Sequence, residues 1–255
     1  MITRLSSSIL HNYAKNFFSA TPLQKTSWFY QILSLCELYS LPNPLSMLSS
    51  PLSKTAFKSL IKKKIISYWE VILRSEASAL KSLCFFKPEF MSLTRPHSLL
   101  TSAGNSPSKV SMALVQIKML SGRYRCDALL QHWQPSTNGQ CQLSHLCHEC
   151  EDIPHILQRC FALVPVRQKL QVFTENFVKT LPTEVKNIVE FYCNPSSPQF
   201  CNFLLDCSTL PPVISAAQMY GDDIFRRLYS LTGAWVYALH RERLKMRGSW
   251  KLSQY

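Results

Sequence analysis

Three observations predict an all-α fold. Glycine is scarce, at 6 of 255 residues, while phenylalanine, tyrosine and tryptophan number 14, 10 and 5, a balance that disfavours Gly-rich nucleotide folds and β-sandwiches. Apolar side chains recur at three- and four-residue steps over several long stretches. A capping residue followed directly by proline, the arrangement that opens helices, occurs at Thr21-Pro22 and again at Ser106-Pro107. The 46% hydrophobic content is enough to build a core.

Met1–Ala20 is Ser-rich, basic and free of acidic residues, the composition of an organelle presequence. It lacks the apolar run of a secretory signal, and the favoured reading is a flexible, weakly amphipathic N-terminus over residues 1–20. Residues 21–106 form an N-terminal helical region and its linker. After Thr21-Pro22, Trp28, Ile32, Leu35 and Tyr39 share a helical face as far as the turn Leu41-Pro42-Asn43-Pro44. From Ser53, Phe57, Leu60, Ile61, Ile65, Tyr68, Trp69, Ile72 and Leu73 define a long amphipathic helix to about Leu83, with Lys58, Lys62, Lys63 and Lys64 as a basic stripe. Lys87 to Ser106, with Pro88, Pro96 and Gly104, reads as a linker.

Residues 107–180 contain a helix and a dense Cys/His group. Val110, Ala113, Leu114, Ile117 and Leu120 predict the buried stripe of that helix, which Gly122 ends. A further helical stretch reaches His132-Trp133, and 135–139 is a turn. Residues 181–255 are a C-terminal helical region. Helices near 163–180, 182–192 and 197–206 precede one that starts at Pro211-Pro212, with a kink near Gly221, and ends in Arg241, Arg243, Lys245 and Arg247.

From Cys141 to Cys160 the chain packs four thiols (Cys141, Cys147, Cys150, Cys160) and three imidazoles (His145, His148, His155) into twenty residues. Tetrahedral zinc needs four soft or borderline donors about 2.0 to 2.3 Å from the ion. Two ligand sets satisfy that need, sharing Cys147, His155 and Cys160 and completed by either Cys141 or Cys150. Cys147-x2-Cys150-x4-His155-x4-Cys160 is the spacing of a retroviral-type knuckle, without that knuckle's glycines. His145 and His148 read as solvated neighbours. With four protein ligands no coordination position is left for water or substrate, so the zinc is structural. Its binding free energy, on the order of 10 kcal/mol, is then largely folding free energy.

Several phrases carry a family resemblance: Met119-Leu-Ser-Gly-Arg-Tyr-Arg125, His132-Trp133, the Cys/His group with Glu151-Asp152-Ile-Pro-His155, Phe203-Leu-Leu-Asp-Cys-Ser-Thr-Leu210 and Leu239-His-Arg-Glu-Arg-Leu-Lys245. From about residue 25 onward the chain resembles the C-terminal region of the reverse-transcriptase polyprotein of non-LTR retrotransposons, without its polymerase or endonuclease domains. In that family the region ends in a Cys/Cys/His/Cys zinc knuckle thought to bind RNA or DNA. The family pattern matches Cys141, Cys147, His155 and Cys160, with the gap from Cys147 to His155 one residue shorter than usual. Cys150 in place of Cys141 stays the alternative.

The formal net charge of +13 suits a polyanion partner, and residues 1–100 alone hold 12 basic and 4 acidic side chains, a balance of +8. Candidate nucleic-acid contacts are Arg123, Tyr124, Arg125, His132 and Trp133, which join guanidiniums to aromatic platforms, and the helix end Arg241, Arg243 and Lys245. No Gly-rich phosphate loop, nucleophile elbow or helical His-Glu-His zinc motif is present. Tyr220-Gly221-Asp222-Asp223 imitates a polymerase aspartate turn but sits within a helical pattern, with no partner aspartate in a strand. No run of about 18 apolar residues spans a membrane. The ten cysteines, mostly scattered in a chain long enough to bury a core, do not read as a secreted disulfide framework.

The expectation is therefore an intracellular, nuclear or cytoplasmic, non-catalytic binder of RNA or single-stranded DNA, with one structural zinc, no membrane association and no small-molecule substrate. The alternative is a helical module for a protein partner, or a relic without function, in which zinc only stabilises a loop.

Overall fold

The computed structural model describes residues 28–134, 138–144 and 147–248. The presequence-like stretch, the cap at Thr21-Pro22 and His145 lie outside them. Eleven α-helices and no strand occur among the described residues, in agreement with the all-α expectation. They fall into two compact units, Met1–Arg74 and Ser75–Tyr255.

In the first unit, α1 (Trp28–Leu38) and α2 (Pro44–Ser49) precede α3 (Lys54–Ala79), which runs past the division. Ser53 caps α3, its Oγ accepting the Ala56 amide at 3.2 Å. The anticipated stripe is only half-buried: Tyr68 meets Tyr39 edge-on at 5.0 Å, and Trp69 stays 41% exposed.

The second unit holds α4 (Ser98–Ala103), α5 (Pro107–Leu120), α6 (Asp127–Leu130), α7 (Val164–Val178), α8 (Thr183–Tyr192), α9 (Phe200–Asp206), α10 (Pro211–Tyr220) and α11 (Asp223–Met246). The amphipathic α11 is its axis. Leu228, Leu231, Trp235, Val236 and Leu239 are wholly buried, and the helix packs on α4, α5, α7, α9 and α10. That packing explains why the divisions expected at 106/107 and 180/181 fall inside one unit. Gly233 permits the close approach of α5, because a Cβ there would stand 3.3 Å from Met112 Cβ and from Gln116 Oε1. Gln116 is buried yet satisfied: its amide donates to Leu204 O at 2.8 Å and Thr232 Oγ1 at 3.0 Å, joining α5, α9 and α11.

Three expectations need correction. The 87–106 linker contains a 3-10 turn at Pro88–Phe90 and α4, whose Leu99 and Ala103 enter the core; His97 Nδ1 caps α4 by accepting the Leu99 amide at 3.2 Å. Secondly, α5 is rotated from the anticipated stripe, because Val115, Gln116 and Met119 face inward while Val110 and Leu114 are exposed. Thirdly, the terminal helix is broken, not kinked: Gly221 at φ 84° separates α10 from α11, and the exposed Asp222 and Asp223 lie at that joint, where Asp223 pairs with Arg226 at 3.4 Å.

Asp206 anchors the α9 end of the core. It accepts from Tyr229 Oη and Ser208 Oγ, both at 2.7 Å, and lies 3.1 Å from His97 Nε2. Burial alone would raise its pKa, but these partners outweigh it and hold the carboxyl below its ordinary value. No single described helix is long and apolar enough to cross a membrane. A bent pair, Phe200–Thr209 with Pro211–Tyr220, has the length and composition, but much of its apolar surface, including Phe200, Phe203, Leu204, Leu205 and Val213, is spent in the core.

Candidate metal centre

Local backbone pairing selects the first ligand. Residues 139–141 run antiparallel to 149–151: the Cys141 amide donates to Glu149 O and the Glu151 amide to Gly139 O, each at 2.9 Å, with Gln140 opposite Cys150. Side chains alternate across such a ladder. Cys141 therefore points inward, 4% exposed, while Gln140 and Cys150 face solvent. Of the two ligand sets open in the sequence, the structure assembles the one containing Cys141.

The remaining ligands follow from a tight turn and an unusual helix. Cys147 is held by its amide bond to Ser144 O at 3.0 Å. His155–Arg159 form one π-helical turn, closed by the Cys160 amide donating to His155 O at 2.6 Å. That i to i+5 closure brings two ligands five residues apart to the same side.

The donor atoms of Cys141, Cys147, His155 and Cys160 all lie within 4.8 Å of one another, close enough to hold a metal ion. Cys141 Sγ is 3.8 Å from Cys160 Sγ, and Cys147 Sγ is 3.5 Å from His155 Nε2. A tetrahedral ion with thiolates at about 2.3 Å and imidazole at about 2.0 to 2.1 Å has S–S edges of about 3.8 Å and S–N edges of about 3.5 Å. Those two edges match. Among the described residues this is the one cluster of its kind.

Groups around the donors complete the design. Glu149 Oε2 takes the other ring nitrogen of His155 at 3.2 Å, which leaves Nε2 facing the cluster with its lone pair. The same carboxylate accepts Arg159 Nε at 3.1 Å, and hydrogen bonds from His155 and Arg159 lower the Glu149 pKa. Burial pushes the Cys141 thiol up to about 12 and also raises Cys160. A metal ion offsets that cost by replacing the thiol protons of Cys141 and Cys160. Four protein donors are as many as a tetrahedral ion takes.

A buried ion pair fastens this unit to α11. Glu151, wholly buried, receives Arg243 Nε at 3.0 Å on Oε1 and Nη2 at 2.6 Å on Oε2, and Oε2 also accepts the Asp127 amide at 2.9 Å. Arg247 Nη2 binds Asp127 Oδ1 at 2.5 Å. Although burial opposes ionisation, Arg243 outweighs it and holds the Glu151 carboxyl below its ordinary pKa. Sequence reasoning missed Glu151, Asp127, Glu149 and Arg247 as partners of the site. The signal available was a carboxylate run, Glu149 to Asp152, threaded through the cysteines.

The candidate nucleic-acid contacts divide. Arg123, Arg125, His132, Arg241 and Lys245 are exposed, and Trp133 is 78% exposed. Tyr124 and Arg243 are corrected: both are core residues. Tyr124 Oη bonds His240 Nδ1 at 2.9 Å, and the Arg243 guanidinium lies 5.4 Å from the Tyr124 ring centroid, so the aromatic face is already covered and the cation already paired. A cavity of about 10 Å³ by Leu99, Gln116 and Tyr229 has room for a single water. No protein-family model, curated protein or solved structure matches the chain.

Proposed function

We propose that the chain is a non-catalytic nucleic-acid-binding module for RNA or single-stranded DNA, organised by one structural zinc ion. On this reading it is of the kind that closes the polyprotein of non-LTR retrotransposons. The Cys141, Cys147, His155, Cys160 donor set carries the proposal: three sulfurs and one imidazole within 4.8 Å of one another suit a borderline-soft divalent ion, and four protein donors would leave it no vacant position for catalysis. Zinc would order 139–160 and, through Glu151 and Arg243, the end of α11. The exposed Arg123, Arg125, Arg241 and Lys245 would meet phosphates, and Trp133, with His132, would stack on unpaired bases. The +13 charge supports a polyanion partner.

Fluorescence anisotropy with a labelled single-stranded RNA tests this. Affinity should fall steeply between about 50 and 200 mM salt; a zinc-loaded, folded chain that ignores the RNA even at the lower salt refutes it. The burial of Tyr124 and Arg243 favours a second reading, a helical protein-interaction module in which the metal only clips a loop, and that negative result would select it.

A further inference from the structure

Arg167 is a charged group at the metal centre that nothing above employs. It occupies the buried face of α7 with Leu170, Thr174 and Val178 and is 6% exposed. Its Nη2 donates to the carbonyl of Cys160, itself a donor residue of the centre, at 2.5 Å. Its Nη1 is buried without a hydrogen-bond partner among the described residues, and no described carboxylate pairs with it. A buried guanidinium with no counter-charge is strongly unfavourable. The other charged groups beside the cluster do not pair with it: Glu149 and Asp152 both bind Arg159 at the surface, Glu149 also meeting His155, and the side chains of Glu149, Asp152 and Arg159 are 56%, 42% and 46% exposed.

We infer that Arg167 is the counter-charge of the metal-loaded centre. The inference rests on the metal-binding reading above. Three thiolates contribute minus three, the neutral imidazole nothing and a divalent ion plus two, leaving minus one. The guanidinium beside Cys160 brings the buried assembly to zero. Arg167 thus acts through Cys160 as a positioning residue.

The test compares Arg167→Gln, which keeps a donor for the carbonyl but loses the charge, with Arg167→Lys, which keeps the charge. Zinc affinity of the full chain, measured by competition with a chromophoric chelator, should weaken about 10- to 100-fold in Arg167→Gln and less than about fivefold in Arg167→Lys. Cobalt substituted for zinc should give the same tetrahedral absorption bands in both variants, because the ligands are unchanged. The metal-free Arg167→Gln protein should melt at a higher temperature than metal-free wild type, and the zinc-loaded one at a lower temperature. A merely structural arginine would not produce that reversal of sign. Equal weakening in the two variants, or loss of stability with and without metal alike, overturns the inference. Should Arg167→Gln fail to fold, a loss beyond about tenfold in Arg167→Lys does so. A wild-type chain that takes up neither zinc nor cobalt instead overturns the metal-binding reading itself.

Discussion

Replacing Arg243 with methionine keeps most of the aliphatic packing of that side chain and removes its charge, stranding Glu151 where the side chain is wholly shielded from solvent. Two charges about 4 Å apart attract by about 4 kcal/mol at an effective dielectric of about 20. Removing one partner of a buried pair costs about 3 to 5 kcal/mol. Glu151 would still hold the Asp127 amide at 2.9 Å and Arg247 at 3.7 Å, which places the expectation at the lower end, about 3 kcal/mol. The double variant Arg243→Met/Glu151→Leu strands no charge and should cost about 1 kcal/mol, so a double-mutant cycle should return a coupling of about 2 kcal/mol or more. Urea unfolding with saturating zinc, followed by circular dichroism and by tryptophan fluorescence, to which the buried Trp235 contributes, measures both. A cost below about 1 kcal/mol for Arg243→Met, the range of exposed pairs, would show that the end of α11 is not docked on the Cys/His unit and would refute the reasoning.

Other predictions address the ligands, the surface and the pH response. Cys150→Ser should retain one metal ion per chain while Cys141→Ser loses tight binding, since only Cys141 faces the cluster; native mass spectrometry reads both, and the reverse result would reassign the fourth ligand. Trp133→Ala should weaken RNA binding by about 1 to 3 kcal/mol, the value of one stacked base. Its denaturation midpoint should stay within error of wild type, because the ring is 78% exposed. His240 is half-buried beside Tyr124, and burial first, then the Arg243 and Lys118 cations, push its pKa down to about 4. A depressed folded-state value means the unfolded chain binds the proton more readily, so this contribution is present above about pH 6.5 and lost as pH falls towards 4. His240→Asn should flatten the loss of stability over that window, as followed by thermal melts; an unchanged pH profile would contradict the burial of the neutral ring.

Helices announced by periodicity and proline caps were legible in the sequence: α3, α5, α8 and α10 begin within a few residues of where Ser53, Ser106-Pro107, Pro182 and Pro211 place them. Helix α4 was not, because six residues give too little periodicity and its start is marked by a histidine cap instead of a serine or aspartate. The metal cluster was legible as a density of thiols and imidazoles. The choice between Cys141 and Cys150 was not, since it depends on a two-rung ladder whose alternation turns one inward and the other out. Tyr124 and Arg243 looked like surface contacts because the sequence does not reveal that Glu151, 92 positions from Arg243, is buried beside them. Arg167 did leave a trace, a cation in phase with Leu170, Thr174 and Val178, but a lone charge on an apolar face acquires meaning only when Cys160 is seen against it.

Metal content reports on the centre more directly than any variant does. The full chain, purified without chelator and weighed under native conditions, should carry the mass of one zinc ion, and stripping that ion should lower the midpoint of the cooperative unfolding transition of the second unit. A chain that weighs in metal-free, with a midpoint that added zinc does not raise and with Cys141, Cys147 and Cys160 freely alkylated, would contradict the account.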